Sequence, residues 1–181
     1  MYSRCFLYLN AQQTTAFRWR AGVLCEDGTF TAGDVDRFVE YLEANPECLF
    51  TILANVADEG FQVETIPLLR GADRRAVIAR KLGQQFFNAT LTTSSSLGHE
   101  QSRRKNERVL LAALTGNETF SPWLQALDGT GVALAGIYSL PLLQPLLARK
   151  LAIADERCLL LTVQDQSIRQ SYLEKGQLQF S

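Results

Sequence analysis

The chain has 181 residues, of which 46% are hydrophobic and 20% are charged, and its formal net charge is −1 at pH 7. This composition is ordinary for a globular protein, and the length suffices for one domain or two packed subdomains with a buried core. The longest apolar stretches, at residues 140–151 and 159–163, are too short to cross a bilayer, and the polar opening segment lacks the features of a signal peptide.

The first third predicts a β-meander, a helix and a strand. Strands are expected at residues 6–10 and 14–25, and Glu26-Asp27-Gly28 predicts the hairpin turn that precedes a return strand. A helix is predicted from the helical spacing of apolar residues at positions 35, 38, 39 and 42, with Asn45-Pro46 as its stop signal, and a compact strand follows it.

The middle of the chain has a different pattern of apolar and charged residues. An extended stretch is expected at residues 61–69, followed by a basic amphipathic helix at 71–87 with Ile78, Leu82 and Phe86 on one side. A strand rich in Thr and Ser, a charged loop at residues 98–106 and a buried strand at residues 108–114 are predicted after it.

The last third alternates helices and strands. Helices are predicted at residues 117–127 and 139–151, separated by a strand at 132–138. Paired strands are then expected at residues 158–163 and 168–173. A further hairpin turn leads to a strand at the end of the chain, which suggests a fragment of a longer protein.

Charge is strongly segregated along the chain. Residues 1–69 hold 4 Lys/Arg and 10 Asp/Glu, whereas residues 70–108 hold 9 Lys/Arg and 3 Asp/Glu. A solvated face explains such a segment, and so does an anionic partner such as a membrane surface or an acidic protein segment. The candidate partner-binding residues are Arg70, Arg74, Arg75, Arg80, Lys81, Arg103, Arg104, Lys105 and Arg108.

Signatures of chemistry are sparse. The sequence contains neither GxxxxGK[ST] nor GxGxxG, and its single histidine, His99, lies in the predicted charged loop as a solvated residue. The sequence therefore predicts no catalytic residue, no cofactor and no metal site. The four cysteines are widely spaced without a CxxC pair, which favours reduced thiols in a cytosolic protein. A pI near 5.9 and the lack of a known module argue against nucleic-acid binding.

A family resemblance emerges from four stretches of apolar pattern and turns. They are residues 107–114 (ERVLLAAL), 123–127 (WLQAL), 132–142 (VALAGIYSLPL) and 162–180. In their order they resemble the first domain of actin-like proteins, and within these the PilM and GspL type of bacterial pilus and secretion machinery.

The resemblance implies a fold and a domain organisation. The fold expected is α/β, or mixed α+β, with an actin-like or RNase H-like central mixed sheet flanked by helices and a small inserted α/β subdomain. Residues 1–59 and 107–181 would form the core, and residues 60–106 the inserted basic subdomain. In PilM this subdomain helps to bind a short tail of an inner-membrane partner, so the basic residues would face such a tail or lipid headgroups.

Both strand-turn-strand ribbons that bind phosphate in actin-like ATPases lack the necessary residues here. In that family each turn carries an Asp and a Gly, since glycine lets backbone N–H groups approach phosphate oxygens. The first hairpin has Leu9, Asn10 and Ala11 at these positions. The second has residues 162–164, with Asp165 as the only acid in either turn.

The resemblance, together with the two hairpins, implies a non-catalytic cytoplasmic scaffold at the inner face of the bacterial membrane, in pilus or secretion assembly. Its partner would be the cytoplasmic tail of an inner-membrane protein or an anionic lipid surface, and a homodimer stays open. Two alternatives remain. One is a divergent actin-like ATPase domain that needs downstream sequence, and the other is a module that binds an anionic membrane surface or nucleic acid through residues 70–108.

Overall fold

The described part of the chain forms eleven strands and four helices. This is a computed structural model, and it describes residues 3–89, 91–100, 106–165 and 167–181. The chain divides into two compact units. The first comprises Met1–Ala57 and Asn117–Leu140, and the second comprises Asp58–Gly116 and Pro141–Ser181.

The first unit is built on a mixed five-stranded sheet. Its strands lie in the order β3-β2-β1-β4-β8; β1 pairs antiparallel with β2 and parallel with β4, which in turn is parallel to β8. A mixed sheet with helices is the fold class that the sequence predicted. The elements of this unit are β1 (Ser3–Asn10), β2 (Gln13–Arg20), β3 (Val23–Thr31), α1 (Val35–Glu43), β4 (Cys48–Asn55), α3 (Asn117–Thr130) and β8 (Ala133–Ser139).

The core of this unit follows from strand alternation and helix periodicity. Leu7 and Leu9 of β1 lie in register with Ile52 and Ala54 of β4, and all four are buried. Because paired residues share one face of a sheet, these strands present a continuous apolar surface. Phe38 of α1 is fully buried and meets Trp123 of α3 edge to face, with ring centroids 5.1 Å apart.

The hairpin turn between β2 and β3 lies elsewhere than predicted. The strand expected over residues 14–25 stops at Arg20, and Ala21 and Gly22 make the turn with φ of 49° and 83°. The predicted turn at Glu26-Asp27-Gly28 is wrong, because these residues belong to β3, where the register with β2 shifts. The Asp27 carboxylate instead accepts hydrogen bonds from Arg18 Nε (3.1 Å) and Tyr41 Oη (3.0 Å). Glycine at a bulge resembles glycine in a turn, which explains the error.

Two of the cysteines are paired across adjacent strands. Cys5 of β1 and Cys48 of β4 form a disulfide with their Cα atoms 5.9 Å apart, a separation typical of that bond. The prediction of four reduced thiols is wrong for these two residues, because parallel pairing of β1 with β4 brings them together. Cys25 and Cys158 are free.

The second unit contains two three-stranded sheets. Their orders are β5-β7-β6 and β11-β10-β9, and all their pairings are antiparallel. The elements are β5 (Glu59–Pro67), α2 (Gly71–Gln85), β6 (Leu91–His99), β7 (Asn106–Leu114), α4 (Leu140–Lys150), β9 (Arg157–Gln164), β10 (Ser167–Glu174) and β11 (Gln177–Phe180).

Helix α2 covers one face of the sheet β5-β7-β6. Ile78 packs against Ile66, Val109 and Leu111 in a buried cluster, and the partly buried Leu82 and Phe86 join it. This is the apolar side that the sequence predicted for the helix. The helix ends at Gln85, two residues earlier than expected.

Strand β7 is the central strand of its sheet, between β5 and β6. By the family resemblance, its residues from 107 on were expected to belong to the core. Its apolar run is buried on alternate faces, since Val109 and Leu111 meet α2 while Leu110 and Ala112 point to the opposite side. The two compact units divide the chain after residues 57, 116 and 140. The predicted division into a core of residues 1–59 and 107–181 and an inserted subdomain of residues 60–106 stays a prediction.

His99 also lies elsewhere than predicted. It is the last residue of β6, paired with Glu107, and not part of a loop. Its side chain is exposed, as the sequence suggested. Within the described residues, no helix combines the length and the apolar character needed to cross a membrane.

Candidate protein-interaction site

The turn of the first hairpin is closed by a side chain. Asn10 Oδ1 accepts hydrogen bonds from the backbone N–H groups of Gln12 and Gln13, both at 2.9 Å. Asparagine closes turns in this way because its carbonyl oxygen reaches the amides two and three residues on. The N–H groups of Gln12 and Gln13 in this turn are thus already bonded within the chain.

The second hairpin has a tight turn without glycine. Gln164 of β9 pairs with Ser167 of β10, and Asp165 between them adopts the left-handed backbone conformation with φ of 51°. Aspartate tolerates this conformation better than most residues, so no glycine is required.

The basic segment splits into three groups. Arg103, Arg104 and Lys105 lie outside the described residues. Arg74, Lys81 and Arg108 form ion pairs within the second unit. Arg70, Arg75 and Arg80 are exposed, and no ion pair involves them in the part of the chain that the structure describes. The six described residues of the set therefore do not form one free cationic surface, because three of them are engaged in ion pairs.

The strongest of these pairs joins α2 to β7. Arg74 donates two hydrogen bonds to Glu107, from Nε at 2.9 Å and from Nη2 at 2.8 Å. The Glu107 side chain is only 6% exposed, so the two hydrogen bonds from the guanidinium replace those that water would otherwise donate to the carboxylate. Chiefly through the hydrogen bond from Arg74, the pKa of Glu107 falls from its ordinary 4.5 to about 2.

The two remaining pairs fix other parts of the same unit. Lys81 Nζ lies 2.7 Å from Glu64 Oε2, which ties α2 to β5. Arg108 Nη2 donates to Gln179 Oε1 at 2.8 Å and its Nη1 to Glu174 at 3.4 Å, so β7 is held to the second small sheet. Three of the nine predicted partner-binding cations thus have an evident structural role.

An apolar groove lies on the face of the sheet β5-β7-β6 opposite α2. Its volume is about 290 Å³, its floor is formed by Leu110 and Ala112, and Leu142 and Pro145 of α4 form one wall. Strand β6 lies at the edge of its sheet, and no described strand pairs with its outer side. The remaining lining residues are Thr93, Ser95, Ser96, Leu97, Leu146, Gln177 and Leu178.

A second, wider cavity shares the α4 wall. It has a volume of about 590 Å³ and shares Pro145 and Leu146 with the groove. Its lining includes the cations Arg149 and Lys175 and the anions Asp155 and Glu156, so its chemistry is mixed. Apolar and charged surfaces therefore lie on either side of the same turn of α4.

Sequence reasoning missed this groove altogether. Its lining residues come from β6, β7, α4 and β11, and each looks like ordinary core or loop when considered alone. The one available signal was Pro145 inside a helical pattern, because proline within a helix removes a backbone hydrogen bond and distorts the helix locally.

Comparisons by sequence identify no relative: no protein-family model matches the chain, and no curated protein matches it. The structure matches a chain of the PilM–PilN type IV pilus biogenesis complex with a TM-score of 0.63 at 13% sequence identity. The match covers 97% of this chain and 59% of that chain, so this chain spans about three-fifths of the similar protein.

Two further solved structures are similar. One is a Bacteroides thetaiotaomicron protein with an actin-like ATPase fold and unknown function, with a TM-score of 0.54 at 10% identity; the match covers 97% of this chain and 67% of that one. The other is the cytoplasmic domain of EpsL, an inner membrane component of the Vibrio cholerae type II secretion system. Its TM-score is 0.47 at 12% identity, with coverage of 95% and 71%, and this overlap is too weak to establish a shared fold. The matches above 0.5 show that the chain adopts the actin-like fold that its sequence predicted.

Proposed function

We propose that this chain is a non-catalytic protein-interaction domain that binds an extended segment of a membrane-protein partner. The observation that carries the proposal is the apolar groove between the sheet β5-β7-β6 and α4. A groove of about 290 Å³ accommodates two or three apolar side chains, and the edge strand β6 beside it offers backbone groups to an extended peptide.

The similarity to a chain of the PilM–PilN complex supports a protein partner. By that analogy the partner segment is the cytoplasmic tail of an inner-membrane protein. The domain would then act at the inner face of a bacterial membrane, in the assembly of a pilus or a secretion system.

The first hairpin supports the non-catalytic part of the proposal. The N–H groups of Gln12 and Gln13 are bonded to Asn10, so a nucleotide phosphate would have to break two existing hydrogen bonds. An actin-like ATPase instead needs such donors preorganised and available. The rival function, a divergent ATPase, thus has an unfavourable starting geometry.

Peptide binding tests the groove. Synthetic peptides of about fifteen residues, taken from the amino-terminal cytoplasmic segments of membrane proteins encoded beside this chain, are titrated by fluorescence anisotropy. Leu146→Glu places a charge in the groove and is expected to weaken binding at least about tenfold. Leu147→Glu is the matched control, since Leu147 is 42% exposed on α4, close to the 49% of Leu146, but lines neither cavity.

Two results would contradict the proposal. Equal losses in the Leu146 and Leu147 variants, or no binding by any of these peptides, would remove the groove as the site. Separately, Mg-ATP should leave the melting temperature unchanged, and a rise of several degrees would favour the ATPase.

Arg70, Arg75 and Arg80 favour a second candidate function, which is attraction to an anionic membrane surface. All three are exposed on or beside α2. Sedimentation with vesicles that contain anionic lipid should weaken when Arg75 and Arg80 are both changed to Glu, and neutral vesicles serve as the control. Arg74 is unsuitable for this test because it already binds Glu107.

A further inference from the structure

The outer face of the sheet β11-β10-β9 carries a continuous row of apolar side chains. Val163 pairs with Ile168, Leu159 with Tyr172, and Tyr172 with Phe180, and residues paired across an antiparallel ladder point to the same side. We call this row the outer apolar face. It consists of Leu159, Leu161, Val163, Ile168, Tyr172 and Phe180.

The exposure of this face is unusual for an antiparallel sheet. Leu159, Leu161, Val163, Ile168 and Phe180 are between 50% and 78% exposed, whereas the inward-pointing Leu173 and Leu178 are 2% exposed. Antiparallel strands with one solvated side normally place polar residues there. Gln170 is the only polar residue among positions 159–163 and 168–172 on this side.

The area of the outer apolar face indicates what kind of partner it can bind. Each of the five exposed side chains presents about 100 Å², which gives roughly 500 Å² for one molecule and about 1,000 Å² for two faces in contact. One molecule alone is at the upper end of what monomers expose. The total area of two such faces in contact just reaches the minimum expected of a specific protein–protein interface.

We infer that the outer apolar face is the contact of a weak, reversible homodimer in which two copies stack these faces. The face is uncharged and apolar on both copies, so a two-fold arrangement satisfies it without any complementary charge. Because the total area lies at the lower limit for specific interfaces, we expect the association to be weak and reversible.

Sedimentation equilibrium of the full chain between about 1 and 200 µM tests the inference. The unsubstituted protein is expected to pass from monomer to dimer over this range. Val163→Asp is expected to raise the dissociation constant at least about tenfold, because it buries a charge in the contact. The matched control is Val23→Asp, since Val23 is 61% exposed on a strand of the other unit.

Three results would overturn the inference. The first is a protein that remains monomeric at 200 µM, and the second is a dimer that survives both Val163→Asp and Ile168→Asp. The third is binding to phosphatidylcholine vesicles that Val163→Asp abolishes in a monomeric protein, which would assign the face to a membrane surface. Melting temperatures of the variants check that each remains folded, and the peptide titration should be unchanged by either substitution.

Discussion

Replacing Glu107 by Gln tests the contact that holds α2 on β7. In the folded chain this carboxylate accepts two hydrogen bonds from Arg74 and is almost fully removed from water. Gln keeps the shape and one acceptor, but it removes the charge that Arg74 faces. The variant therefore isolates the charged part of the interaction.

The magnitude follows from the pKa. A fall from 4.5 to about 2 corresponds to about 3 kcal/mol of additional stability in the ionised state. Since the folded pKa lies below the unfolded one, this contribution is complete above pH 4.5 and is lost as the pH falls toward 2. We expect Glu107→Gln to lower the free energy of unfolding at pH 7 by about 2–3 kcal/mol, and the two proteins to converge near pH 2.

Hydrogen exchange of the β7 amides is the direct measurement. Both tryptophans, Trp19 and Trp123, lie in the other unit, so their fluorescence does not report on this contact. Glu156→Gln is the control, because Glu156 lies 3.9 Å from Lys175 with both side chains exposed, and its loss should cost less than about 0.5 kcal/mol. A Glu107 variant that matches the Glu156 variant at pH 7 would refute the reasoning.

Three further predictions concern stability. Under non-reducing, denaturing conditions a thiol reagent should react with two of the four cysteines, and four reactive thiols would contradict the pairing. Cys48→Ser should lower the free energy of unfolding by about 4 kcal/mol, because it opens a loop with a sequence separation of 43. Gly60→Ala should destabilise the second unit by about 1–3 kcal/mol, because its new methyl group would overlap the ring of Phe86, and an unchanged urea midpoint would show that the ring moves freely. Ile78→Ala should lower the free energy of unfolding, measured in urea, by about 2–5 kcal/mol, because Ile78 is buried. Ile168→Ala, at an exposed position, should lower it by less than about 0.5 kcal/mol in dilute solution, and similar losses in the two variants would contradict the assigned core.

The elements of this fold were largely predictable because their signals are local. The spacing of Phe38 and Leu42 predicted α1, and the apolar run of β7 predicted a buried strand. What the run could not indicate was which sheet β7 joins, since a strand buried on both faces fits the middle of any sheet. Sheet membership depends on pairings between residues far apart in sequence.

The candidate site was much less predictable for the same reason. Arg74 and Glu107 are separated by 33 positions, so the sequence shows a cationic segment where the structure shows a satisfied ion pair. A count of charged residues in the sequence does not distinguish an arginine in an ion pair from one that is exposed to solvent. Among the described members of the predicted set, Arg74, Lys81 and Arg108 form internal ion pairs, and Arg70, Arg75 and Arg80 are exposed.

The first hairpin shows why an absent motif can be informative. The missing glycine at residues 9–11 indicates only that phosphate binding is disfavoured, and many turns lack glycine. The structure adds that Asn10 supplies, from its side chain, the acceptor that a phosphate oxygen would otherwise provide. The hairpin can therefore keep its shape in an actin-like fold without a nucleotide, because two hydrogen bonds, each worth about 1 kcal/mol, hold the turn from within.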